Sequence, residues 1–137
     1  MKCNIQNVPD NIYYKYMVIS IEHELISSND IRDFEISLRE KMSLDSAEIW
    51  ISEDGTDFPC LGILINSTKA VVNIFFEDGS NYVSTGDVEL DDYVAFCNGQ
   101  YEVASYQLID KEDAIQAILD FYKTKDRSDK ISWEQLS

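Results

Sequence analysis

Cys60-Leu61-Gly62-Ile63-Leu64-Ile65-Asn66-Ser67-Thr68-Lys69-Ala70-Val71-Val72-Asn73-Ile74-Phe75-Phe76-Glu77 decides the fold class. It holds two apolar runs, Cys60 to Asn66 and Ala70 to Glu77, joined by the three residues Ser67-Thr68-Lys69. A parallel crossover needs a dozen or more residues, so the runs read as antiparallel neighbours. Upstream, Ala47, Ile49 and Ile51 alternate with Glu48, Trp50 and Ser52 at the period of a strand, and Asp54-Gly55 then makes a turn. Downstream, Asp78-Gly79 makes another turn, and Asn81 to Thr85 continues the meander. Tyr93 to Cys97 and Tyr101 to Tyr106 flank Asn98-Gly99, a pair that tolerates the positive φ angles of a type I′ hairpin turn.

Outside this meander the period changes. Tyr14 to Glu22 reads as a half-buried strand through Met17, Ile19 and Ile21. A helix near residues 30 to 42 follows, capped by Asn29 or Ser28, with Asp30 and Asp33 at its positive end and Ile31, Phe34, Leu38 and Met42 at helical spacing. A second helix near residues 111 to 123 begins at Asp110, with Asp113 completing a carboxylate form of the capping box. Lys123, Lys125 and Arg127 suit its C-terminus, and Ile131-Ser132-Trp133-Glu134 can return as an edge strand. The order predicts an α+β domain with a largely antiparallel sheet of about seven to eight strands and two helices packed on one face. Residues 1–137 suit one folding unit, because a chain of 137 residues buries one two-layer core comfortably but not two.

No apolar run approaches the roughly 18 residues of a membrane helix. The opening Met1-Lys2-Cys3-Asn4-Ile5-Gln6-Asn7 lacks the apolar stretch of a secretory signal, so a cytoplasmic location is expected. Cys3, Cys60 and Cys97 are widely spaced and odd in number, without a Cys-x-x-Cys pair. They suggest neither a disulfide framework nor a zinc site, and Cys60 and Cys97 read as small core hydrophobes.

The charge is more informative. Acids outnumber bases 26 to 11, for a net charge of −15. From Met42 to Asp110 there are thirteen acids and one base, Lys69, so this stretch carries −12 of the total. Such a field repels phosphate and anionic lipid, which argues against direct nucleic-acid or membrane binding, and it accelerates encounter with a basic surface.

Catalytic signals are sparse. The single histidine, His23, lies between two glutamates with no nucleophile nearby in sequence, and reads as a surface or sheet-end residue. Glu53-Asp54, Glu77-Asp78 and Asp91-Asp92 could in principle serve as acid and base or hold a hard cation. Two of these pairs touch a turn glycine, where aspartate is favoured for backbone reasons. Gly62, Gly79, Gly86 and Gly99 stand alone rather than in a phosphate loop. Neither a catalytic residue nor a cofactor is expected.

Between Gly55 and Gly86 the chain resembles a family of bacterial immunity proteins of polymorphic and contact-dependent toxin systems. The resemblance runs through Gly55 with Pro59-Cys60-Leu61, Ile63-Leu64-Ile65-Asn66, Ala70-Val71-Val72 to Phe75-Phe76, and Tyr82-Val83-Ser84-Thr85-Gly86. Ala114 to Tyr122 and Ile131-Ser132-Trp133-Glu134 are similar to the family's closing helix and terminal Trp-Glu strand. Ser67 departs from the pattern, standing where a turn glycine is more usual. These positions describe a fold rather than a catalytic motif.

The resemblance implies a cognate partner, a protein toxin domain often active on nucleic acid as a deaminase or nuclease, sequestered in the producing cell. An acidic surface can occupy a basic cleft in place of phosphate. The expected partner-binding residues are Asp87, Glu89, Asp91 and Asp92, with Glu77 and Asp78 beside them and Tyr82 and Tyr93 as anchoring area. Two rival readings are a metal-assisted hydrolase using the carboxylate pairs and an acidic adaptor domain without a toxin partner.

Overall fold

The computed structural model describes residues 17–21, 24–28 and 30–137, the first two segments as backbone only. Among the described residues the chain runs β1 (Met17–Ile21), β2 (Glu24–Ser28), α1 (Ile31–Met42), β3 (Ser46–Glu53), β4 (Cys60–Asn66), β5 (Lys69–Phe75), β6 (Asn81–Thr85), β7 (Tyr93–Phe96), β8 (Tyr101–Ala104), β9 (Ile109–Asp110), α2 (Lys111–Thr124) and β10 (Ser132–Gln135). The main sheet has the order β2-β1-β3-β4-β5-β6-β10, with β9 also pairing with β5. Each of its pairs is antiparallel. The α+β class, the strand number of the sheet and the placement of both helices on one face agree with the sequence reading.

Strand β4 explains the layering, because every residue from Cys60 to Ile65 is buried. A strand with no polar face must be covered on both sides. Leu61, Ile63 and Ile65 join Ala47, Ile49 and Ile51 of β3 and Ala70, Val72 and Ile74 of β5 on one face, under Phe34, Leu38 and Met42 of α1 and Ala114, Ile118 and Phe121 of α2. On the other face Leu64, Val71 and Val83 meet Phe96 and Val103. These last two come from β7–β8, which form a separate two-stranded sheet rather than extending the meander. Phe96 is fully buried, and burying a ring of that size contributes on the order of 2 kcal/mol.

Polar anchors fix the hairpin over this face. Asn66 Nδ2 donates to the carbonyl of Ala95 at 2.8 Å. The Tyr101 hydroxyl donates to Glu48 Oε2 at 2.7 Å, while Trp50 Nε1 donates to Glu48 Oε1 at 3.1 Å. The hydrogen bond to the Glu48 carboxylate pushes the Tyr101 phenol up to about 12.

Next to β5 the sheet changes partners. Strand β6 pairs with β5 as far as Asn73↔Val83, and β9 takes over at Ala70↔Ile109. At the handover the buried Ser84 hydroxyl accepts from Val72 N–H at 3.1 Å and donates to the Gln107 carbonyl at 2.8 Å. Two residues on, Gly86 N–H donates to the Tyr106 carbonyl at 2.6 Å. A Cβ on Gly86 would lie 1.9 Å from the Leu108 carbonyl oxygen, so no side chain fits there. In the Tyr82-x-Ser84-x-Gly86 stretch, serine and glycine are thus required by backbone pairing.

Strand β10 is tied to α2 by Trp133 Nε1, which donates to the Ser128 carbonyl at 2.8 Å. The Ser128 hydroxyl donates to Asp120 Oδ2 at 2.6 Å, and Lys130 Nζ to Oδ1 at 3.0 Å. Ser128 first, with Lys130 assisting, holds the Asp120 carboxyl below its ordinary range.

The structure corrects several local expectations. Strand β2 was not anticipated between β1 and α1. The α1 cap is Asp30, whose carboxylate accepts from the N–H groups of Arg32 and Asp33. At α2 the capping box does not form, because the Asp110 carboxylate is engaged by Lys69 Nζ at 2.5 Å and makes no cap hydrogen bond. Asn98 and Gly99 adopt the positive φ angles expected of a type I′ turn, but Cys97 does too, which ends the β7–β8 ladder at Phe96↔Tyr101. Ser67 has φ +56°, a left-handed conformation that glycine adopts more readily than serine. Cys60 is disulfide-bonded, contrary to the reading of it as a free thiol. His23, Cys3 and the Asn29 cap lie outside the described residues.

Two outcomes follow from the handover and the β10 tie. Ser84→Ala strands the buried Val72 N–H and the half-buried Gln107 C=O, and urea unfolding should show a loss of about 1–3 kcal/mol. Gly86→Ala should destabilise by a similar or larger amount through overpacking. An unchanged urea midpoint for both variants would contradict the handover. The lowered Asp120 carboxyl stabilises the fold above the ordinary carboxylate range, and that contribution is lost as pH falls through the lowered folded-state value. Asp120→Ala should therefore lower the Tm at pH 7 by an amount that shrinks towards zero in strong acid, as followed by circular dichroism.

Candidate functional site

The two layers on the sheet differ in charge. Among the described residues, every Lys and Arg except Lys69 lies on α1, on α2 or in the segment after α2: Arg32, Arg39, Lys41, Lys111, Lys123, Lys125, Arg127 and Lys130. On the helix layer acids and bases pair. Arg39 forks onto both Glu112 oxygens at 3.1 Å and reaches Glu35 at 2.8 Å, which depresses the Glu112 carboxyl. The opposite layer, residues 86–104, has Asp87, Glu89, Asp91, Asp92 and Glu102 and no Lys or Arg. Its charge is therefore uncompensated from within, and the low dielectric of the underlying core concentrates such a field outward.

The loop from β6 to β7 carries four of these acids. It is stapled at both ends to the segment after β8, by Gly86 N–H to the Tyr106 carbonyl and by Ser105 N–H to the Asp92 carbonyl at 2.9 Å. Within it, Leu90 N–H donates to the Asp87 carbonyl at 3.2 Å, closing a turn, and Asp87 Oδ1 accepts from Glu89 N–H at 3.1 Å. Asp87, Glu89, Asp91 and Asp92 are all exposed. Tyr93 follows on β7, on the outward face of the hairpin and 66% exposed.

The remaining expected site residues lie elsewhere. Glu77 and Asp78 form the β5–β6 turn, at the opposite end of β6 from Asp87, roughly 17 Å away for a five-residue strand. Asp78 accepts from the hydroxyl and N–H of Ser80, which hold its carboxyl below the ordinary range. Tyr82 faces the helix layer and packs against that core, with Phe76 edge-on at 6.0 Å and the Arg127 guanidinium 3.8 Å above its ring. It shares no surface with Tyr93. Sequence reasoning missed Val88 and Leu90, which are exposed between the acids of the loop. Their signal was available: apolar residues, one β-branched, in a turn where Gly, Pro, Asn and Asp are usual.

The three carboxylate pairs considered for hydrolysis sit in three separate segments, and Glu53 lies 3.6 Å from Lys125 Nζ. Among the described residues no group of three or more His, Cys, Asp and Glu side chains is arranged to hold a metal ion.

No family model matches the chain. The chain is similar to the double-stranded DNA deaminase immunity protein of Burkholderia cenocepacia (strain H111), at 25% identity over 103 residues that span 72% of this chain and 83% of that protein.

The two tyrosines should separate in experiment. Tyr82→Ala removes a packed ring and its stacked guanidinium and should cost about 2 kcal/mol of stability. Tyr93→Ala should change stability by less than about 0.5 kcal/mol. Thermal melts of the two single variants check this, and equal effects would mean that Tyr93 is part of the core.

Proposed function

We propose that this chain is an immunity protein without turnover of its own, which binds a cognate toxin domain and neutralises it in the cytoplasm of the producing cell. The observation that carries the reading is the acidic layer of residues 86–104, free of Lys and Arg, presented on a rigidly held loop. An enzyme that acts on nucleic acid offers a basic cleft, and carboxylates spaced along a surface can take the place of phosphates there. The similarity to a double-stranded DNA deaminase immunity protein supports the same reading and makes a nucleic-acid deaminase the proposed toxin. The cytoplasmic placement rests on this function and not on the cysteines.

Of the residues expected at the interface, Asp87, Glu89, Asp91, Asp92 and Tyr93 form the proposed contact. Glu77 and Asp78 add to the long-range field from the far end of β6, and Tyr82 acts in the fold. Replacing Asp87 and Asp91 and Asp92 with Asn, and Glu89 with Gln, removes four charges with little change of shape. Association with a cognate toxin domain, sought among the products of the genes next to this one, should slow by roughly tenfold or more at low salt and become less salt-sensitive. Stopped-flow or biosensor rates across a salt series check this, and an unchanged rate and slope would place the interface on another face.

A further inference from the structure

We propose that Val88, Leu90 and Tyr93 form an apolar anchor that enters a recess in the toxin's substrate cleft, while the carboxylates around them meet the cleft's basic rim. The inference rests on the immunity reading and adds the residues that hold the complex together once it has formed.

Among the described residues seven large hydrophobic side chains are exposed, and three of them fall within six consecutive positions: Val88 at 70%, Leu90 at 46% and Tyr93 at 66%. Folding does not ask for them there. Val88 occupies the second position of the turn closed by Leu90 N–H and the Asp87 carbonyl, where a β-branched apolar residue has no propensity advantage. Tyr93 points away from Phe96 and Val103, which supply the hairpin's contact with the sheet. Their exposure is therefore a property of the surface and not a by-product of packing.

The chemistry of the occupant follows from the surroundings. Asp87, Glu89, Asp91 and Asp92 interleave with the apolar residues, so whatever covers the patch must bring positive charge to its edge and apolar surface to its middle. A second copy of this chain would set four carboxylates against four and is disfavoured by its own net charge of −15. A nucleic-acid enzyme offers the required pattern in one place: cations that hold phosphates beside an apolar slot that receives a base. The staples at Gly86 and Asp92 hold the loop in shape before binding, so little ordering entropy is lost on association.

The division of labour is testable by rates. Val88→Ser with Leu90→Ser, and separately Tyr93→Ala, should leave the thermal melt and the association rate of the immunity protein nearly unchanged. Dissociation from that toxin domain should quicken by roughly 30-fold or more for the double variant and by roughly tenfold or more for Tyr93→Ala. The wild-type protein should also compete with the toxin's nucleic-acid substrate for binding. If the wild-type protein binds and the double variant dissociates at the wild-type rate, the anchor is wrong and the immunity function stands. Tight binding without competition by nucleic acid also overturns cleft entry and leaves the function intact. If the wild-type protein does not bind that toxin domain, or no toxin domain is encoded by the genes next to this one, the function itself fails and the anchor with it.

Discussion

Burial of β4 and β5 on both faces is the constraint from which the rest of the molecule follows. Leu61, Ile63 and Ile65 require the helices, and Leu64 with Val71 require a second layer on the reverse side. The helix layer is built from two amphipathic segments that carry their own bases. The second layer is a four-residue-per-strand hairpin, too small to be stable alone. It is held by Phe96, Asn66 and the Glu48 carboxylate beneath Tyr101. The loop that leads into it from β6 must cross from the main sheet to the covering layer, and this crossing places Asp87 to Tyr93 on the surface.

The same crossing accounts for several of the residues on which the resemblance in sequence was read. Ser84 supplies the hydrogen bonds that the ladder loses where β6 leaves β5, and Gly86 lets two backbones approach where a methyl group would collide. Tyr82 and Trp133 pack under the helix layer, and Glu134 accepts from the Tyr106 hydroxyl at 2.7 Å on the other side of β10.

The sequence was legible where structure is local. The period-two alternation of Ala47 to Ser52, the apolar runs of β4 and β5, and the helical spacing of Phe34, Leu38 and Met42 all appear in the structure as read. What failed was decided by distant partners. Asp110 was read as a side-chain cap, but Lys69, 41 residues away, takes its carboxylate. The Tyr93–Tyr106 hairpin was read as part of one sheet, because nothing in its own alternation says which surface it covers. Tyr82 and Tyr93 look alike in sequence, and only the register of β6 against Ile74 and the outward face of β7 assign one to the core and the other to solvent. The acids and the scarcity of bases among them were legible in the sequence, whereas the placement of residues 86–104 on the face of the sheet opposite the helices required the topology.

Hydrogen–deuterium exchange of the protein, alone and with the proposed toxin domain, tests most directly whether the base-free layer is the binding surface. Slowed exchange confined to residues 86–104, with α1 and α2 unaffected, is the expected result. Protection of the helix layer with residues 86–104 unchanged would contradict it.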